Sequence, residues 1–218
     1  MRSLLELYSR LYDSFGPQGW WPAKSSFEMI VGAILTQNTA WTNVEKAIAA
    51  LEERDLLHTE KMAKVPEEKL EMLIRPSGYF RQKAQRLKAI SDHLVRNYHG
   101  ELEKLFSLPR LRVRGELLKV SGLGKETADS ILLYAGEKPV FVIDAYTRRI
   151  CHRLGLTSLT RYDDLQRFFE RNLPPDVKTY QEFHALLVAL GKEHCRRVPR
   201  CAGCPVGRDC EAGLLSQV

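Results

Sequence analysis

The chain has 218 residues, a net charge of +6 and an isoelectric point near 9.1. Its length allows one large domain or two small ones with a sizeable core. It contains no apolar run of about 18 residues and no apolar leader, which excludes a membrane-spanning helix and a signal peptide. We therefore expect a cytoplasmic protein that does not bind membranes. The basic charge favours a polyanionic partner.

Apolar residues recur at three- and four-residue spacing along nearly the whole chain, which predicts an all-α fold. Residues that favour helix starts precede several of these segments, at Ser25, Thr42, Pro66 and Thr179. Residues 140–143 are different, because they are all apolar and have no second strand to pair with. We expect them to form a buried extended connector.

A glycine-containing turn separates two helical patterns in the segment Val120-Ser121-Gly122-Leu123-Gly124-Lys125. Glycine tolerates positive φ and lets another chain approach closely, so the segment predicts a tight hairpin between two helices. The second helix starts at once, and its N-terminus supplies N–H donors and the positive end of the helix dipole. This arrangement is typical of a phosphate-binding site.

Asp144 follows the apolar run and precedes Ala145 and Tyr146, so it should emerge from a buried segment at a helix start. A carboxylate at that point can cap the helix. It can also stabilise the positive charge that develops on a sugar during cleavage of a glycosidic bond, and orient a water molecule. The two roles are compatible, and Asp144 is the first candidate for a catalytic residue.

Four of the five cysteines lie close together with the spacing C-x5-C-x2-C-x5-C, at Cys195, Cys201, Cys204 and Cys210. In an intracellular protein such a group is more typical of a metal site than of disulfides. Four thiolates suit zinc or an iron–sulfur cluster, and the spacing alone does not separate the two. Cys151, beside Ile150 in an apolar helix, is expected to be an inert core thiol.

The hairpin, Asp144 and the terminal cysteines, in this order, resemble the helix-hairpin-helix DNA glycosylases of the endonuclease III superfamily. The resemblance runs from about Trp20 to Cys210 and implies two helical lobes. One is a six-helix lobe at 24–135, with the helix-hairpin-helix at about 117–133. The other combines 1–23 with 136–218 and carries a [4Fe–4S] cluster loop at 195–210. The family's first cysteine gap is one residue longer, and zinc remains the alternative.

The tryptophans resemble a narrower branch, the 3-methyladenine DNA glycosylases III. In that branch a Trp–Pro segment and the aromatic residue after Gln-Asn-Thr line the base pocket, and a lysine lies near it. An alkylated, cationic purine binds well on an indole face. Described members of the branch replace the metal cluster, whereas this chain keeps four cysteines. The resemblance implies a base pocket formed by Trp20, Trp21, Pro22, Trp41 and Lys192.

The same resemblance implies double-stranded DNA with a damaged base as the partner, bound by a monomer associated with the nucleoid. Gln37 lies where the wider family inserts a side chain into the gap left by a flipped base. The turn at 76–79 leads into a basic helix and resembles a second backbone contact. The expected DNA contacts are Gln37, Gly122, Gly124, Lys125, Thr127, Arg81, Lys83 and Arg148.

Glu126 departs from the pattern of strand-nicking relatives, which carry at this position the amine that attacks the sugar. A carboxylate cannot form a Schiff base. Water is therefore the expected nucleophile, and abasic-site lyase activity is not expected. Lys125, one place earlier, points elsewhere around the helix and is interpreted as a phosphate contact.

These features predict a monofunctional DNA glycosylase that removes alkylated purines, above all 3-methyladenine. A thymine- or uracil-mismatch glycosylase and an oxidised-pyrimidine glycosylase of the endonuclease III type are the alternatives. A mismatch adenine glycosylase would carry a further domain after the cysteines, whereas this sequence continues for eight residues beyond Cys210. A protein that binds DNA structures without catalysis is the alternative from another class.

Overall fold

The computed structural model describes residues 3–210. Within that range the backbone forms twelve α-helices, two 3₁₀ helices and no β-strand, which confirms the all-α prediction. None of these helices is long and apolar enough to cross a membrane. The helices are α1 (Leu4–Phe15), α2 (Ser26–Leu35), α3 (Trp41–Glu52), α4 (Thr59–Lys64), α5 (Glu67–Ile74), α6 (Phe80–Tyr98), α7 (Leu102–Phe106), α8 (Arg110–Leu118), α9 (Lys125–Tyr134), α10 (Ala145–Arg153), α11 (Tyr162–Asn172) and α12 (Val177–Glu193), with 3₁₀ helices at Arg75–Ser77 and Gly207–Asp209.

The chain divides into two compact units. Of the described residues, 21–138 form the central unit, and 3–20 together with 139–210 form the terminal unit. These divisions lie near the predicted lobe boundaries at 23/24 and 135/136. The assignment of residues 1–2 and 211–218 to the second lobe lies outside the described residues.

The central unit contains eight α-helices, α2 to α9, instead of the six expected from the resemblance. Its longest helix, α6, packs against α4 and α5, while α2 packs against α9. The core face of α6 carries Leu87, Ile90 and Leu94, all fully buried. Their spacing of three and four residues is the one that placed a helix here from sequence.

In the terminal unit, α12 packs against both α1 and α10. The extended residues 139–143 run through its core, and Phe141 stacks on Phe169 with 4.2 Å between ring centroids. Glu170 accepts a hydrogen bond from the Phe141 amide at 3.1 Å, and Gln166 donates one to the Phe141 carbonyl at 2.8 Å. Side chains of α11 thus take the place of a partner strand, and the expected buried connector is confirmed.

Helix α2 starts where the capping box predicts. The Ser25 hydroxyl accepts a hydrogen bond from the Glu28 amide at 3.1 Å. The Glu28 carboxylate instead accepts from the amide of Lys24, also at 3.1 Å. Ser25 therefore caps the helix as expected. Glu28 binds the backbone amide of Lys24, the residue before the cap, and not the amide of Ser25 itself.

Two other predicted helix starts are wrong. Helix α3 begins at Trp41, before Thr42, and Ala40 in the capping position makes no side-chain cap. Helix α12 begins at Val177, because Asp176 accepts the Thr179 amide at 2.7 Å. The aspartate caps the helix three residues earlier than the threonine that sequence reasoning had chosen.

Candidate functional site

Asp144 lies at the start of α10 in the terminal unit. Its Oδ1 accepts a hydrogen bond from the Thr147 amide at 2.7 Å, so the residue is the N-cap of the helix. The preceding residues Val142 and Ile143 are fully buried, and the Asp144 side chain is 13% exposed. The carboxylate thus follows a buried segment and caps the start of a helix, as the sequence predicted.

His184 of α12 faces the second carboxylate oxygen of Asp144. Its Nε2 lies 3.6 Å from Asp144 Oδ2, and the imidazole is 6% exposed. Burial by itself would raise the pKa of Asp144, but His184 and the Thr147 amide outweigh burial and hold that pKa below its ordinary value. Asp144 is therefore ionised at neutral pH.

Sequence reasoning missed His184. The available signal was its position in the otherwise apolar run of α12, from Phe183 to Leu190, where a lone imidazole is buried. A histidine in such a run needs a polar partner. The chain places that partner, Asp144, forty positions earlier, so spacing along the sequence does not connect the two residues.

Trp20 and Lys192 lie close to the Asp144–His184 pair. The Trp20 ring meets the His184 ring edge to face, with 5.9 Å between centroids. Lys192 places its Nζ 5.6 Å from the centroid of the Trp20 ring. Two of the residues that the resemblance assigned to the base pocket are thus linked through His184 to the candidate catalytic acid.

Tyr146 is fixed against α12 near the same place. A Cβ on Gly191 would lie 2.2 Å from Tyr146 Cδ1, so the ring packs directly on the backbone of α12. Arg149 lies over the other part of the ring, at 5.1 Å from its centroid. Glycine at position 191 is therefore required for the approach of α10 to α12.

The other two tryptophans form an aromatic group within the central unit. Trp21 meets Trp41 edge to face at 5.4 Å, and it meets Tyr134 at 5.4 Å with a tilt of 59°. A Cβ on Gly32 would lie 3.1 Å from Trp21 Nε1, so the indole lies close against α2. Trp21 and Trp41 are half-buried. Tyr134 was not anticipated from sequence, and Pro22 is exposed beside the group.

The hairpin has the predicted geometry. Gly122 has a φ of +82°, which L-residues with a side chain rarely adopt. Gly124 occupies the capping position of α9, and the helix begins at Lys125. Lys125 and Glu126 are both exposed in the first turn. The positive end of the α9 dipole thus lies at an exposed glycine turn, where an anion can approach.

Gln37 is hydrogen-bonded at both ends of its side-chain amide. Its Nε2 donates to Thr127 Oγ1 at 2.7 Å, and its Oε1 accepts from Nη1 of Arg86. Arg86 also packs beneath the hairpin, since a Cβ on Gly122 would lie 2.7 Å from Arg86 Cγ. Arg86 was not among the expected DNA contacts, yet it contacts two of the predicted DNA-contact positions, Gln37 and Gly122.

Lys83 is buried, in contrast to the other basic residues proposed as DNA contacts. It is 1% exposed, and its Nζ donates to the carbonyls of Leu35 at 2.7 Å and Ser77 at 2.6 Å. Burial, and then the nearby Arg86 charge, lower the pKa of Lys83 to about 8. The ammonium ties the end of α2 to the 3₁₀ helix, and a phosphate cannot reach it in this conformation.

Arg81 and Arg148 are exposed, as a phosphate contact requires. The Arg81 side chain is 80% exposed at the start of α6. The Arg148 guanidinium lies 5.6 Å from the Tyr162 ring centroid. Arg148 lies one turn after Asp144, the cap of α10, and Arg81 lies in the same helix as Lys83.

The four clustered cysteines line one cavity in the terminal unit, together with Arg153 and His194. The Arg153 carbonyl accepts from Cys210 Sγ at 3.2 Å, and its guanidinium donates to Cys195 Sγ at 3.4 Å. Burial, and then the neighbouring thiols, raise the pKa of Cys204. Within residues 3–210, no three His, Cys, Asp or Glu side chains converge as a set that could hold a metal ion.

None of the five cysteines, all of which lie in the described part of the chain, forms a disulfide. The cavity therefore presents four thiols, which fit a thiolate-held group in number and chemistry. Cys151 is 1% exposed in α10, and burial raises its pKa to about 12. A thiol with so high a pKa is unreactive at neutral pH, in agreement with its prediction as an inert core residue.

The sequence profile of the HhH-GPD superfamily of base excision DNA repair proteins matches residues 31–175. The chain belongs to this superfamily. The matched segment contains the hairpin, Asp144 and the Gln37–Thr127 contact. The family assignment supports a DNA glycosylase of base excision repair, which is an enzyme class whose members act on DNA.

Two named relatives are similar to this chain over most of its length. A provisionally named DNA repair glycosylase of Methanocaldococcus jannaschii is 47% identical over 95% of this chain and 95% of its own length. The endonuclease III of Thermotoga maritima is 31% identical over 85% of this chain and 82% of its own length.

Solved structures show the same fold. The H. pylori 3-methyladenine DNA glycosylase bound to 1,N6-ethenoadenine aligns with a TM-score of 0.76 and 29% identity, over 88% of this chain and 98% of that one. A non-covalent complex of endonuclease III with DNA aligns with a TM-score of 0.84 and 24% identity, over 98% and 96% of the two chains.

Proposed function

We propose that the protein is a monofunctional DNA N-glycosylase that hydrolyses the glycosidic bond of alkylated purines, with 3-methyladenine as the principal substrate. The observation that carries this proposal is the ionised Asp144 carboxylate, which has one oxygen on the helix start and the other facing His184. Departure of a purine leaves positive charge on the deoxyribose. A fixed carboxylate stabilises that charge and can orient the attacking water.

His184 supports this role in a specific way. A buried carboxyl group would ordinarily become easier to protonate, and a protonated acid cannot stabilise a cationic sugar. The imidazole and the Thr147 amide hold the pKa of Asp144 low, so the charge is retained in a site that is largely shielded from water. The carboxylate is then preorganised and needs no rearrangement during the reaction.

The tryptophans support an electron-poor purine as the substrate. Trp21 and Trp41 form a half-buried indole pair, and such faces attract cationic rings. Lys192 Nζ lies 5.6 Å from the centroid of the Trp20 ring, so this indole already has a cation against it. The H. pylori 3-methyladenine DNA glycosylase is a solved structure of similar fold whose name agrees with such a substrate.

The hairpin supports hydrolysis without strand cleavage. Glu126 stands exposed in the first turn of α9, where strand-nicking relatives are expected to carry an amine. With a carboxylate in that place, no Schiff base forms and water is left as the nucleophile. The hairpin then serves to bind phosphates through Gly122, Gly124 and Lys125, with Arg81 and Arg148 as further backbone contacts.

We further propose that Cys195, Cys201, Cys204 and Cys210 hold a [4Fe–4S] cluster. All four thiols line one cavity, which supplies the four thiolates that such a cluster takes. A zinc ion would draw the same four sulfurs to within about 3.8 Å of one another, given Zn–S bonds of about 2.3 Å. The cluster would fix the loop 195–210 in shape and carry no step of the reaction.

A second candidate substrate class comes from the endonuclease III relatives. The 31% identity to the Thermotoga maritima enzyme covers 85% of this chain, so a pyrimidine-directed pocket is a specific alternative. Such an enzyme would act on oxidised pyrimidines or on thymine or uracil in mismatches. The indole pair and Glu126 favour the alkylated purine.

The experiment is a base-release assay on duplex oligonucleotides that carry 3-methyladenine, 7-methylguanine, a T·G mismatch, uracil or thymine glycol. Each product is analysed with and without hot alkali. Release of the methylated purines, with strand breaks only after alkali, is the expected result. Activity confined to the pyrimidine substrates would assign the protein to the second class, and lesion binding without any base release would indicate a non-catalytic DNA-binding protein.

A further inference from the structure

Arg86 contacts two features of the central unit. One is Gln37, the residue proposed to fill the gap left by a flipped base. The other is Gly122, the glycine with positive φ in the phosphate-binding hairpin. Arg86 donates to Gln37 Oε1 through Nη1, and the stem of its side chain packs where a Cβ on Gly122 would lie.

The contact to Gln37 continues into α9. Gln37 Nε2 donates to Thr127 Oγ1 at 2.7 Å, and Thr127 is 7% exposed in the first turns of that helix. Both ends of the Gln37 amide are therefore held, one by a charged donor and one by a buried hydroxyl. Charge-assisted hydrogen bonds such as the one from Arg86 are stronger than neutral ones.

Arg86 also contacts the hairpin by van der Waals packing beneath Gly122, in addition to its hydrogen bond to Gln37. A Cβ at position 122 would lie 2.7 Å from Arg86 Cγ and 2.9 Å from Arg86 Nε, distances that real Cβ atoms do not show. The side chain thus fills the space that the glycine leaves. A movement of the hairpin backbone would displace the same guanidinium that orients Gln37.

We propose that Arg86 is a positioning residue that holds Gln37 and the hairpin in one arrangement, so that phosphate binding and insertion of Gln37 into the DNA stack act together. This inference rests on the proposed function and extends it. Arg86 acts through Gln37 and Gly122 and makes no base contact of its own. Its effect appears in the discrimination between DNA with a gap in the stack and intact DNA.

The test measures dissociation constants for two duplexes, one with a tetrahydrofuran abasic analogue and one undamaged, and takes their ratio as the discrimination. The variants are Gln37→Ala, Arg86→Met and the double variant. Arg96→Met, on the same helix and exposed, is the matched control for loss of charge. We expect Arg86→Met to lower the discrimination about tenfold, the scale of one charge-assisted hydrogen bond.

The double variant is decisive. If Arg86 acts through Gln37, the discrimination of the double variant equals that of Gln37→Ala alone, because the residue that Arg86 positions is already gone. Thr127→Val removes the other hydrogen bond to Gln37 and should lower the discrimination in the same direction. Additive losses in the double variant would overturn the proposal.

Salt dependence separates positioning from a direct phosphate contact. Loss of a phosphate contact reduces the slope of log K against log salt by about one and weakens binding to both duplexes. We expect the slope of Arg86→Met on undamaged DNA to equal that of the unsubstituted protein. A reduced slope, with rescue by Arg86→Lys, would assign Arg86 to the phosphate backbone instead.

Failure of the proposed function has a different signature. An unsubstituted protein that binds both duplexes equally and releases no base would overturn the glycosylase proposal, and the positioning role with it. A protein that discriminates and releases base, but whose discrimination survives Arg86→Met and Thr127→Val, would overturn the positioning role alone. Thermal unfolding of each variant shows whether a loss reflects folding.

Discussion

Asp144 and His184 form a buried pair in which Nε2 of the imidazole lies 3.6 Å from Oδ2 of the carboxylate. The first oxygen of the carboxylate is already engaged by the Thr147 amide at 2.7 Å. Each carboxylate oxygen therefore faces a polar group. The carboxylate stays ionised although it is buried. Its pKa stays below the ordinary value of an aspartate.

The pair predicts a pH effect. Since His184 helps to lower the pKa of Asp144, removing it in His184→Gln should raise that pKa and move the acid limb of the activity profile to higher pH. On the acid limb, where Asp144 is mostly protonated in both proteins, each unit by which its pKa rises lowers single-turnover base release about tenfold, and the loss is smallest at pH 8. His152→Gln, an exposed histidine of α10, is the control. A uniform loss at all pH values would indicate only damage to the fold.

The proposed lack of lyase activity depends on Glu126. Glu126→Lys places an amine in the first turn of α9, and we expect a borohydride-trapped covalent complex with abasic DNA to appear. Glu126→Gln removes the charge without adding an amine, and should give no trapped complex. A trapped complex formed by the unsubstituted protein and also by Glu126→Gln would mean that another amine attacks the sugar.

Lys83 is predicted to act on stability. Lys83→Met leaves the carbonyls of Leu35 and Ser77 without their buried donor, and should lower the free energy of unfolding by about 2–4 kcal/mol. Lys69→Met, on an exposed position, should change it by less than about 0.5 kcal/mol. Denaturant unfolding at pH 7 measures both.

Because the pKa of Lys83 is lowered on folding, the difference in unfolding free energy between the unsubstituted protein and Lys83→Met should depend on pH. The folded-state pKa is about 8, below the ordinary 10.5, so the unfolded chain binds more protons between these two values. The free energy of unfolding of the unsubstituted protein, relative to Lys83→Met, should therefore rise as pH increases from about 8 to 10.5. A decrease over this range would mean that the pKa of Lys83 is raised on folding, which contradicts its burial.

The cysteine cavity predicts a measurable cofactor. Anaerobically purified protein should contain about four iron atoms and four sulfides per chain. Its visible absorption spectrum should show the brown colour of an iron–sulfur protein. Cys204→Ser should lose most of the iron, whereas Cys151→Ser should keep it because Cys151 lies in the core of α10. One zinc per chain without sulfide would establish the alternative.

Sequence patterns located the parts of the site that depend on local chemistry. The glycine turn, the Asp144 cap and the helix capped by Ser25 each follow from neighbouring residues, and each is present. The start of α12 was misplaced because Asp176 and Thr179 are both good caps, and local preference does not decide between them.

The tertiary contacts could not be predicted in the same way. His184 meets Asp144, and Arg86 meets Gln37, across forty or more positions of the chain. Lys83 resembled an exposed basic residue because its helix carries Arg81 and other cations, but its face of α6 is the buried one. Burial of a lysine is a property of packing that the charge pattern hides.

Single-turnover release of 3-methyladenine from duplex DNA, compared for the unsubstituted protein and Asp144→Asn, tests the central claim most directly. Asparagine keeps the size and can still accept the Thr147 amide, but it carries no charge to stabilise the sugar cation. The account predicts base release by the unsubstituted protein, a loss of about 10²–10³-fold in Asp144→Asn and unchanged DNA binding. Equal rates for the two proteins would contradict it.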